Sequence, residues 1–117
     1  MSFLAELNAA ISALGVKVET SVFSDEPRDE YVVITPMVEM PVVSADNRPL
    51  IEFYEARISL FTKSNYIRRK NQIVKTLLDR EFTVTGRRYA GYDPETKFHN
   101  FAVDAAKEYF TEVALNG

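Results

Sequence analysis

The sequence predicts an α+β domain, two helices packed on one face of a mainly antiparallel sheet of four to five strands in the order αβββαββ, with a projecting hairpin arm. Three observations predict it. Residues 51–62 alternate, with Tyr54, Ala56, Ile58 and Leu60 on one side and Glu55, Arg57 and Ser59 on the other, the period of two of a half-buried strand. Directly after it, Tyr66, Ile67, Lys70, Ile73, Val74, Leu77 and Leu78 recur at helical spacing, so a helix lies back across its own strand. The third is a pair of turn signals, Ala45-Asp46-Asn47-Arg48-Pro49 and Asp93-Pro94-Glu95-Thr96, each set between extended patterns.

The elements follow in order. Phe3, Leu4, Leu7, Ala10, Ile11 and Leu14 form a helical stripe behind Ser2 as N-cap, and Gly15 stands where a left-handed residue is cheapest. Residues 16–23 alternate Val16, Val18 and Val22 against Lys17, Glu19 and Ser21, a strand ended by the polar run from Ser24 to Asp29. Residues 30–43 are rich in Val and Ile, but Pro36 and Pro41 donate no ladder hydrogen bond. That strand is therefore expected at an edge or broken by a bulge, its second half leaving the sheet. The turn at 45–49 joins it to the strand from Ile51 as a hairpin that reaches beyond the body, a way to touch a neighbour.

Ser64 is the expected cap of the central helix, its hydroxyl accepting from a free first-turn N–H. Residues 82–92 then resume an extended pattern. The last segment admits two patterns. A helix would align Ala102, Ala105, Ala106, Tyr109, Phe110 and Val113; a strand would alternate Phe101, Val103, Ala105 and Tyr109 with Asn100, Asp104 and Glu108. Propensity favours the helix, because Ala, Lys and Glu are poor strand residues. The turn at 93–96 favours the strand, because it closes a hairpin with residues 82–92, and a strand is expected to about Phe110. Phe53, Phe61, Tyr89 and Phe101 are expected on the sheet face without helices, where large apolar side chains mark a partner.

One domain is the default for 117 residues, and 46% hydrophobic with 12% aromatic content supplies a single core. With 14 basic and 17 acidic residues the net charge is −3, no footprint of a specific nucleic-acid partner. Cysteine is absent, which excludes disulfides and thiolate metal sites and suits a reducing cytosol. The first fourteen residues lack a basic start and a long apolar run, so neither a signal peptide nor a membrane span is expected.

Catalytic and cofactor signatures are not found. Metal sites need converging donors, and His99 is the single histidine. His99 beside Asp93 and Glu95 fits an acid–base pair less well than an ordinary surface residue. No serine has a G-x-S-x-G setting, and neither a P-loop nor a G-x-G-x-x-G run occurs. Asp25, Glu26, Asp29 and Glu30 form an acidic loop without the spacing or glycine of an EF-hand. Arg68, Arg69, Lys70 and Lys75 ride on the central helix, with Arg80, Arg87 and Arg88 after it; a helix burying its apolar stripe puts charges outside in any case. Their functional version is an inter-subunit ion pair with the acidic loop. A phosphate or nucleotide held by Arg68, Arg87 and Arg88 is the alternative.

The run from Val22-Phe23-Ser24 through Asp29-Glu30-Tyr31-Val32-Val33-Ile34-Thr35-Pro36, then Ala45-Asp46-Asn47-Arg48-Pro49-Leu50, Glu55-Ala56-Arg57-Ile58-Ser59-Leu60-Phe61 and Asn65-Tyr66, resembles small proteins of the head–tail joining region of siphophages and prophages. Arg87-Arg88-Tyr89-Ala90-Gly91-Tyr92 and Phe98-His99-Asn100-Phe101-Ala102-Val103-Asp104 are similar too, so the resemblance spans nearly the whole chain. It implies a tail terminator, also called a tail completion or head-to-tail joining protein. It implies a hexameric ring that caps the tail tube, ends its growth and meets a head completion or connector protein, first in the host cytoplasm and then in the virion tail. It implies a fold of two helices on a four- to five-stranded antiparallel sheet with a strand last, no enzyme activity and no cofactor. Another connector or minor capsid protein of the same region is the neighbouring possibility. The interface residues expected are Asp25, Glu26 and Asp29 of the acidic loop, Asp46, Asn47 and Arg48 within the arm at 40–49, and Arg68, Arg69 and Lys70 of the helix. Heterologous contacts between such opposite charges close into rings where the rotation allows.

Overall fold

The computed structural model describes residues 2–20, 29–46 and 48–116. The elements are α1 (Phe3–Ser12), β1 (Lys17–Thr20), β2 (Glu30–Ala45), β3 (Arg48–Thr62), α2 (Tyr66–Asp79), β4 (Thr83–Asp93), β5 (Phe98–Phe110) and α3 (Thr111–Asn116). The class is α+β. The sheet has five strands in the order β1-β2-β3-β5-β4. It is mixed, because β1 runs parallel to β2 while the other three pairings are antiparallel. Alternation of side chains carries no strand direction, so that parallel pair was not readable from the sequence.

Helix α1 starts as its sequence dictates, Ser2 Oγ accepting from Ala5 N at 3.3 Å, and Gly15 turns the chain at φ +84°. The α2 cap is displaced by one residue. Asn65 Oδ1 accepts from the amides of Ile67 and Arg68, whereas Ser64 Oγ lies 3.2 Å from Thr62 Oγ1. Asn and Ser cap equally well, so extended backbone at Asn65 (φ −70°, ψ 97°) decides between neighbours.

Leu7 and Ile11 of α1 and Ile73 and Leu77 of α2 are fully buried against Val32, Ile34, Ile58 and Val103 of the sheet. Each such side chain contributes about 1.5–3 kcal/mol relative to exposure. Both helices therefore cover the same face.

Residues 31–34 of β2 lie between β1 and β3; beyond Ile34, β2 has β3 alone as partner. Register shifts fall at Pro36/Val38 and Pro41/Val43, so each proline sits on an edge and beside a bulge. The second half leaves β1 but not β3, pairing as far as Ala45 with Arg48 across a turn with Asp46 at φ +50°. Since β5 reaches no farther along β3 than Ile51, the end of the hairpin extends past the third strand.

The ambiguous last segment is a strand to Phe110, paired with both β3 and β4. A further element, α3, follows it and makes three helices among the described residues. Ala114 packs against the core, and Glu112 lies in the first turn where a negative charge suits the helix dipole.

Candidate protein interface

Of the acidic loop, Asp25 and Glu26 lie outside the described residues, as do Val22 and Phe23 of the expected first strand. Asp29 is exposed, its carboxylate 3.5 Å from Lys63 Nζ. Glu30 turns inward to Arg69, with Arg69 NH2 2.7 Å and Nε 2.9 Å from Glu30 Oε1. Arg69 also donates to the Leu14 carbonyl at 3.0 Å. The expected pairing of acidic segment with basic helix is thus made inside one chain by these two residues.

The rest of the basic cluster disperses. Arg68 is exposed, and Lys70 is half-buried with its ammonium 5.3 Å from the centre of the Phe101 ring. Three consecutive helical residues point about 100° apart, so Arg68, Arg69 and Lys70 serve three surroundings. Arg87 pairs with the buried Val103 and Arg88 with Ala102, so neighbouring arginines stand on opposite faces and do not converge with Arg68. His99 meets Tyr89 rather than a carboxylate, with Nδ1 2.9 Å from the Tyr89 hydroxyl and its ring near Tyr66 and Tyr92.

Phe61 and Phe53 lie on the sheet face away from the helices, in line with Arg57, which forms a two-pronged pair with Asp104 at 2.9 and 3.1 Å. Tyr89 and Phe101 do not. They share the helix face, where Tyr66 of α2 packs on both rings. The turn at 93–96 fixes the starting parity of β5, and that parity put Phe101 under α2.

At the hairpin end, within the expected arm and beside it, the structure exposes apolar side chains. Met40, Val42 and Leu50 are each 49% exposed, Phe110 is 70% exposed and Leu115 69%. Val43, Ile51 and Phe110 are successive cross-strand partners, as are Met40 and Phe53, so apolar side chains gather on one face of the hairpin and its neighbour. A groove of about 560 Å³ runs between the tip and the start of α3, lined by Asp46, Arg48, Leu50, Phe110 and Glu112. The expected Asp46 and Arg48 are therefore at this end and exposed, while Asn47 lies outside the described residues. The missed signal was Met37-Val38-Glu39-Met40-Pro41-Val42-Val43, an apolar run whose prolines prevent it from being a covered central strand.

At the opposite end of the sheet a cavity of about 640 Å³ opens on the helix-free face. Its floor is aromatic. Tyr31 stacks on Phe61 with centroids 4.8 Å apart, and Phe98 meets both edge-on. Burial pushes the Tyr31 hydroxyl above its ordinary pKa. Asp93 and Glu95 stand at the rim, and the Glu95 N–H bonded to Asp93 holds that carboxyl below its usual range. Asn100 Oδ1 is buried and accepts no hydrogen bond from the described residues.

No family model and no curated protein matches the chain. Among the described residues no helix is long and apolar enough to cross a membrane, and no three His, Asp or Glu are grouped to hold a metal ion.

Proposed function

We propose that this protein is an assembly component of a phage or prophage head–tail junction, acting by self-association into a ring, of six copies as in the family it resembles. The ring caps the tail tube, ends its polymerisation and offers its other side to a head completion or connector protein. It acts by binding, not catalysis, in the host cytoplasm and then in the virion tail. The observation that carries this role is the apolar hairpin end, where Met40, Val42, Val43, Leu50 and Phe110 are all at least 43% exposed. Exposed apolar side chains gathered at one end of a small domain mark a protein contact. In this proposal the residues from 40 to 49 are the projecting arm, and the remaining surface charges, Asp29, Arg48 and Arg68, set register between copies.

The test is light scattering on the purified protein over a concentration series, with and without purified tail tubes. A hexamer, or a monomer that binds at tube ends only, supports the role. A different ring size together with binding to a head connector would assign the protein to that neighbouring position in the junction. A monomer indifferent to tubes overturns the proposal.

A further inference from the structure

The two ends of the sheet differ in a complementary way, and this bears on which surfaces meet in the ring; the inference rests on the self-association proposed above. The hairpin tip carries Arg48, exposed and making no ion pair among the described residues, with the exposed Asp46 on the same groove and the apolar Val43 and Leu50 close by. The cavity at the far end has an aromatic floor and, among the described residues, a rim with two carboxylates, Asp93 and Glu95, and one cation, Lys63. Lys63 Nζ already lies 5.1 Å from the centre of the Phe98 ring, so that floor accepts a cation. Asn100 Oδ1, buried there without a donor, is a place for one more N–H. A guanidinium has five donors, no acceptor, and a planar shape that stacks on aromatic rings.

We propose that the hairpin tip of one copy seats in the aromatic cavity of a second copy, with the Arg48 guanidinium entering between the Asp93 and Glu95 carboxylates and Asn100 Oδ1. The contact joins two different patches of the same chain, which lie at opposite ends of the long strands β2 and β3. Such heterologous contacts propagate head to tail and close into rings where the rotation allows. The occupant is a second copy, whose exposed Arg48 and apolar tip match the carboxylate rim and the aromatic floor.

The chain has no cysteine, so single engineered cysteines report the contact without background. A Pro49→Cys chain and a Thr96→Cys chain are mixed under oxidising conditions, alone and with tail tubes. The expected result is a disulfide between the two different variants. Arg48→Glu is expected to weaken assembly at least about tenfold, and Glu95→Lys combined with it to restore part of the loss. Pro49→Cys chains coupled only to one another would overturn the arrangement, as would rings that form without any mixed disulfide. In both cases self-association survives and only this geometry fails. A protein that stays monomeric alone and on tubes overturns both proposals.

Discussion

Arg69 and Glu30, 39 residues apart, hold the start of α2 to the start of β2 through a pair in which both side chains are less than one quarter exposed. Thr62 Oγ1 donates to the second Glu30 oxygen at 3.2 Å, so three elements meet on one carboxylate. A pair that a sequence reading assigns to contacts between copies is in fact a brace within one.

Removing Arg69 leaves Glu30 half-buried without its cation. Arg69→Ala is expected to lower the unfolding free energy by about 1.5–3 kcal/mol, and Arg68→Ala, on an exposed position of the same turn, by under about 0.5 kcal/mol. Urea denaturation of the two variants measures the difference. Equal effects would show that the pair contributes nothing to the fold.

The cap of α2 offers a test at adjacent residues. Asn65→Ala removes the acceptor of two first-turn amides and is expected to cost about 1 kcal/mol. Ser64→Ala, away from those amides, is expected to cost a few tenths of a kcal/mol, within the usual range for exposed positions. Thermal unfolding ranks them, and the reverse order would return the cap to Ser64.

The pH dependence of stability runs through Glu6. Burial favours its neutral form, but hydrogen bonds from Tyr109 and Lys107 and the Lys107 charge outweigh that and hold the carboxyl below its ordinary value of 4.5. A pKa depressed by folding stabilises the native state above the unfolded value, and the gain is lost as pH falls through the folded one. Glu6→Gln is expected to destabilise by about 1–2 kcal/mol near neutrality. At about pH 3 the gap to the parent should shrink. Urea midpoints at the two pH values give the comparison, and a gap that does not change would remove Glu6 as the linked group. Tyr109, whose hydroxyl donates to that carboxylate, is pushed well above the usual tyrosine range by burial and by Glu6.

Charging the hairpin end separates assembly from folding. Val43→Lys and Leu50→Lys change side chains 43% and 49% exposed, so stability is expected within about 0.5 kcal/mol of the parent. Self-association measured by light scattering is expected to fall sharply. A loss of the folded domain, seen by circular dichroism, would instead make these residues part of its core.

Periodicity and turn chemistry were sufficient for β3, α1 and α2, for the hairpin turns at 45–48 and 93–97, and for the bulges at Pro36 and Pro41, because each depends on residues within a few positions of one another. The strand from Phe98 to Phe110 was readable only through its turn and the family resemblance, since Ala105, Ala106, Lys107 and Glu108 have helical propensity and are held extended by β3, the two alanines by β4 as well. Long-range pairing decided the rest. The parallel partner of β2, the placement of Tyr89 and Phe101 beside Tyr66 on the helix face, and the capture of Glu30 by Arg69 depend on which strand lies beside which, and a one-dimensional pattern carries neither strand direction nor register. The sequence by itself therefore determined α1, α2, β3 and where the two hairpins turn, because those signals are local. The tertiary structure decided which charges are internal braces and which apolar side chains stay uncovered, because burial belongs to the packed sheet and not to the residue.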